Sequence, residues 1–100
     1  MTLNDLMIVA TDLDAMSIDT LKDSWSVGGI AMMLEDAYIL KDDNEANIRW
    51  LGVFDDVTDE FTFYERPGLD EIAEADNLIN EYKQISKIVR VLEDSIDELI

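Results

Sequence analysis

Between Leu69 and Ile100 the apolar residues Ala75, Leu78, Tyr82, Ile85, Val89, Leu92, Ile96 and Leu99 recur in alternating steps of three and four. Only a helix returns side chains to one face at that interval, so this third of the chain is predicted to be a single long amphipathic helix. Taking Leu78, Ile85, Leu92 and Leu99 as heptad position d places Ala75, Tyr82, Val89 and Ile96 at a. Over the last two heptads β-branched a residues then face leucine-rich d residues, a combination that favours parallel two-stranded pairing. At about 1.5 Å per residue the segment would run roughly 48 Å. A compact domain of 100 residues has a radius of gyration of only about 13 Å. The helix is therefore expected to overhang its domain and to act as a homodimer interface through Leu78, Tyr82, Ile85, Val89, Leu92, Ile96 and Leu99. Ile72, Ile79, Ile88, Val91 and Ile100 widen the apolar face, as a helix covering its own sheet would require. Both uses fit one helix, its first half on the sheet and its second half on a partner.

One domain follows from the length: residues 1–67 as an acidic body and 68–100 as the long helix. The chain has no cysteine and no histidine. This removes disulfides, thiolate and imidazole metal sites, and the nucleophile and base chemistries that depend on them. The segment MTLNDLMIVA has no basic start and too short an apolar run for a signal peptide. No stretch approaches the 18 or so uncharged apolar residues of a membrane span. A soluble, cytoplasmic protein without membrane contact is expected.

Charge is the dominant compositional feature: 24 Asp and Glu against 7 Lys and Arg, a formal net of −17. A compact monomer of this size would expose on the order of 5,800 Å², or roughly one uncompensated negative charge per 340 Å². Such a field repels nucleic acid and anionic membranes and attracts basic surfaces at rates that fall with salt. High net charge often accompanies disorder, but 48% apolar content and the regular period predict a folded scaffold carrying the acids.

Along the chain, Thr2 and Asp5 have the spacing of a helix cap, and Leu3, Leu6, Met7 and Ala10 share a helical face. The run LMIVA also fits a short buried strand. Thr11 to Ser17 reads as a linker, with Ser17 capping a second short helix that aligns Ile18, Leu21 and Trp25. Gly28 and Gly29 predict a bend, after which Ile30, Met33, Leu34 and Ala37 resume helical spacing. Strands are then predicted at Ala37–Lys41, Asn47–Phe54 and Glu60–Glu65, separated by the acidic turns Asp42–Ala46 and Asp55–Asp59. Pro67 opens the long helix or belongs to the turn before it, and Asp70, Glu71 and Glu74 complement the positive end of the helix dipole. The expected fold is α+β: short N-terminal helices, a three-stranded antiparallel meander and a long C-terminal helix.

No catalytic pattern is present. A calcium loop counted from Asp12 has Asp at positions 1, 3 and 12, but Met16 and Ser17 stand at positions 5 and 6, where a ligand and the turn glycine belong. There is no P-loop, no nucleophile elbow and no zinc pattern, so neither an enzyme nor a cofactor or metal is expected. Three of the seven basic residues, Lys83, Lys87 and Arg90, lie mid-helix with acids at both ends.

Carboxylates at i, i+3 and i+4 on a helix lie roughly 5 to 6 Å apart at Cβ, comparable to neighbouring phosphates. Asp70, Glu71 and Glu74 have this spacing, as do Glu93, Asp94, Asp97 and Glu98. Asp42, Asp43 and Glu45, and Asp55, Asp56, Asp59 and Glu60, add compact clusters. In size, lack of Cys and His, acid loading and expected dimerisation, the chain resembles the small DNA-mimic inhibitors of phages and mobile elements. The resemblance is one of overall character, without a matched motif. It implies a stoichiometric inhibitor that does not bind nucleic acid itself and blocks the DNA groove of a basic restriction, CRISPR or nucleoid protein. Two other classes fit the same features: an immunity or antitoxin-like protein with hot spots at Trp50 or Tyr64 beside Asp55 and Asp56, and an assembly adaptor acting through Leu78 to Leu99.

Overall fold

The computed structural model describes all 100 residues and is mostly helical. In chain order its elements are α1 (Leu3–Ala15), α2 (Ile18–Ser24), α3 (Val27–Leu51), β1 (Gly52–Asp55), β2 (Glu60–Phe63) and α4 (Leu69–Leu99). Each of the first three helices starts on a hydroxyl cap. Thr2 Oγ1 accepts from Asp5 N while the Asp5 carboxylate accepts from Thr2 N, a complete capping box. Ser17 Oγ accepts from Thr20 N, and Ser26 Oγ accepts from Gly29 N at 3.0 Å. These bonds satisfy backbone donors that have no partner inside the helix. Residues 3–10 are therefore helix and not strand, and the segment read as a linker belongs to α1 as far as Ala15.

The three-stranded meander is not formed. Ala37–Lys41 and the acidic segment Asp42–Ala46 lie within α3, which continues to Leu51. Of the second expected strand only Gly52–Phe54 is extended, and with Asp55 from the expected turn it pairs antiparallel with Glu60–Phe63 in the register Gly52↔Phe63 and Phe54↔Phe61. The physical reason lies on the inner face of α3, where Ile30, Met33, Ala37, Asn44 and Ile48 are buried at helical intervals. Asn44 is a polar side chain in an apolar series, and it interrupts the hydrophobic period where Asp42, Asp43 and Glu45 imitate a turn. Gly28 and Gly29 do not bend a helix either, since both lie in the first turn of α3 and the break falls before them at Trp25 and Ser26. Pro67 precedes the Gly68 cap of α4 and belongs to the turn.

α3 and α4 form a long antiparallel hairpin, with Tyr38 on one reaching Glu93 on the other and Asn44 reaching Leu78. α1 and α2 pack against one half of it. The main core joins Leu6, Ala10 and Leu13 of α1 and Leu21 of α2 to Ile30, Met33 and Ala37 of α3 and Ile85, Ile88, Val89 and Leu92 of α4. The other half is a two-helix arm whose buried residues are Asn44, Ile48 and Ala75. The β-hairpin folds back along it as far as Tyr82 and Lys83, turning Phe54, Phe61 and Phe63 inward while Val53 and Thr62 point out. Phe54 meets Tyr82 edge-on at 5.4 Å. The molecule measures 53 × 25 × 17 Å with a radius of gyration of 16.0 Å. α4 therefore does not overhang a compact body, because the body is as long as the helix.

Asn44 donates to the Leu78 carbonyl at 2.9 Å, while its own Oδ1 is buried with no partner. An unmade hydrogen bond at a buried acceptor costs about 1–3 kcal/mol. Asn44→Leu is accordingly expected to leave stability unchanged or raise it by about 1 kcal/mol. A urea titration showing substantial loss would mean that the amide is needed to hold α3 and α4 in register.

Candidate partner-binding surface

The acidic side chains decorate the outside of this scaffold. Only Asp36 and Glu45 of the 24 are partly covered, and the remainder are exposed. Few are neutralised by neighbours. Lys83 Nζ lies 2.9 Å from Asp59 Oδ1, and the amino group of Met1 lies 3.5 Å from Asp36. No other ion pair forms within 4.0 Å.

The fold spreads the sequence-predicted clusters along its length. Asp55, Asp56, Asp59 and Glu60 surround the hairpin tip, which folds back to the middle of α4, where Tyr82 meets Asp56 and Lys83 pairs with Asp59; Asp70, Glu71 and Glu74 lie in the first turns of α4, about 14–20 Å of helix from Lys83. Glu45 faces an open depression of about 390 Å³ that it shares with Asp56, Tyr64 and Tyr82. Asp42 and Asp43 stand on the outer side of α3. Glu93, Asp94, Asp97 and Glu98 lie at the opposite end, since about 28 Å of helix separates Glu74 from Glu93. Lys83, which pairs with Asp59, and Lys87 and Arg90 lie between Glu74 and Glu93 on α4. The clusters do not form one patch.

Local structure holds the tip acids in place. Asp55 Oδ1 accepts from Val57 N at 2.9 Å and from Thr58 N at 3.3 Å, closing the turn on itself. Asp59 adopts φ 61°, the left-handed conformation that short polar side chains tolerate, and the chain then enters β2. Asp55 and Glu60 are direct cross-strand partners, a like-charge arrangement that opposes pairing. Tyr82 Oη donates to Asp56 at 3.4 Å. Toward the C-terminal end of α4, Tyr38 Oη donates to Glu93 at 2.6 Å. That bond first, then desolvation and the carboxylate's charge, raises the phenol above its ordinary 10.0. No group of three or more carboxylates converges as a metal-binding set.

The apolar seam of α4 is used within the protomer. Ile85, Val89 and Leu92 belong to the main core, whereas Leu78, Tyr82, Ile96 and Leu99 keep part of their surface accessible. A coiled coil along this stripe would have to displace α1 and α3. Sequence reasoning missed the outer face of α3, where Met32 is 70%, Ile39 57% and Trp50 83% exposed. A helical period carried through Asn44 would have found it.

No helix is long and apolar enough to cross a membrane. The chain matches no protein-family model, no curated protein and no solved structure.

Proposed function

We propose that this protein is a stoichiometric inhibitor that occupies the cationic nucleic-acid-binding groove of a partner, presenting carboxylates where phosphates would lie. The observation that supports this reading is charge per length. A net of −17 along 53 Å is about one charge per 3 Å, close to the roughly 3.4 Å of a single DNA strand and about half the density of a duplex. With a surface of 6763 Å² the density is about one net charge per 400 Å². These charges sit on helices and a closed turn, so little ordering entropy is lost on binding. The protein would compete with nucleic acid and have no affinity for it.

Competition of this kind releases counterions from a basic groove and is steep in salt. The test is displacement of a fluorescent duplex from a nucleoid-type DNA-bending protein. Near-stoichiometric release is expected at about 50 mM salt, with an apparent affinity at least tenfold weaker at about 200 mM. Displacement indifferent to salt, or none at either concentration, would overturn the reading.

A further inference from the structure

On α3 the residues Met32, Ile39, Ala46 and Trp50 fall within about 40° of arc and span about 27 Å of helix. Ile30, Met33, Ala37 and Ile48 are buried on the opposite side, so this stripe faces away from the protein's own core. Single exposed apolar residues are ordinary; an aligned series in this chain is not. Between Ala73 and Glu98 on α4 every exposed position except Ala73 is polar or charged. The same chain, given water-facing helix positions, thus fills most of them on α4 with acids, amides and the cations Lys83, Lys87 and Arg90, and those along one line of α3 with Met, Ile and Trp.

Along the Met32–Ile39 part of that line carboxylates border it on both sides, Asp36 and Asp43 on one and Glu35 and Asp42 on the other, with Asn47 and Arg49 flanking the Trp50 end; of the four carboxylates only Asp36 has a cation within 4.0 Å. This border decides the occupant. A second copy laid on the stripe would bring its own Glu35, Asp36, Asp42 and Asp43 against the same four residues, a like-charge juxtaposition that costs several kcal/mol. A neutral apolar helix would leave the carboxylates unanswered. The complementary surface has an apolar ridge flanked by lysine or arginine.

We propose that the outer face of α3 is a docking site for a basic amphipathic helix of a partner protein, its apolar ridge seated on Met32, Ile39 and Trp50 and its cations paired with the bordering carboxylates. This rests on the reading of the chain as a ligand for basic proteins and names the face and the element engaged. The large side chains supply contact area that phosphate imitation alone lacks, and Trp is a residue in which interface energy commonly concentrates.

The test uses a synthetic 18-residue helical peptide with a leucine stripe between lysine and arginine flanks, beside a scrambled peptide of identical composition. Binding is measured by calorimetry and by methyl and indole NMR shifts of the full-length protein. The amphipathic peptide is expected to bind at least tenfold more tightly than the scrambled one and to shift Met32, Ile39 and Trp50. Met32→Ser with Ile39→Ser, both on exposed positions, is expected to abolish that preference without altering the circular dichroism. Equal binding of both peptides, unaffected by the substitutions, would overturn the docking face while leaving charge-driven binding intact. Failure of both peptides to bind at low salt would overturn both readings. A dimer that Ile39→Lys dissociates would overturn the proposal in favour of a second copy.

Discussion

Leu92→Ala is expected to unfold a large part of the population at 37 °C. Leu92 is 0% exposed and stands in the core shared by all four helices, so truncation opens a cavity that rigid neighbours on every side cannot collapse. Buried Leu→Ala changes cost about 3–5 kcal/mol, against a total of about 5–15 kcal/mol for a small domain. Self-repulsion from a net charge of −17 places this protein low in that range. The transition midpoint is expected to fall by about 15–25 °C, at about 5 °C per kcal/mol for this size. The experiment also separates the two uses of the α4 seam. If Leu92 acts within the protomer, the loss is the same at micromolar and at hundred-micromolar protein. A midpoint that recovers at high concentration would return Leu92 to an interface between chains.

The second large effect is expected at Gly52, and it is local. A Cβ added there would lie 2.1 Å from the Thr62 carbonyl oxygen and 2.9 Å from Phe63 Cα, both backbone atoms, and 2.8 Å from Phe61 Cζ. Backbone cannot rotate aside as a side chain does, so Gly52→Ala must push β1 away from β2. The φ of 171° at Gly52 is ordinary extended geometry, and the requirement for glycine comes from the close approach alone. A cost of about 1–3 kcal/mol is expected, as for other overpacked sites. It should appear as faster hydrogen exchange from Val53 to Phe63 and loss of the Phe54–Tyr82 contact, with exchange at Ile85 to Leu92 unchanged. Slow exchange throughout the hairpin would show that the strands tolerate the methyl group.

How legible the fold was depended on whether local chemistry and tertiary packing agreed. In α4 the heptad spacing, the acidic first turns and the preceding Arg66-Pro67-Gly68 all favour one helix, and the structure has it. Thr2 with Asp5 and the Ser17 cap likewise mark real helix starts. In α3 the signals conflict. Asp42, Asp43, Asn44 and Glu45 are frequent in turns, Tyr38, Ile39 and Leu40 suit a strand, and Asn44 occupies a core position. Only the packing of Ala37 and Ile48 against α4 resolves the conflict, and that contact is long-range. The hairpin was read nearly in place because its acidic turn and aromatic strands are local features. The acid clusters are plain in the sequence, but their spacing along the molecule depends on the length of α3 and on the hairpin folding back to Tyr82 and Lys83, and so was hidden with them. The seam on α4 is a buried stripe, as its spacing implies; that α1 and α3 cover much of it depends on how much helix the rest of the protein contains, which the local signals hid.

Because α1 and α2 buttress only one end of the α3–α4 pair, the distance from base to tip is set by helix length alone. Adding or deleting seven residues in each of the two long helices, beyond Tyr38 and before Tyr82, would lengthen or shorten the arm by about 10 Å and restore the same faces. The base would keep every residue of its core. Reach is thus a separable property of this architecture, open to adjustment in whole steps while the foundation stays as it is.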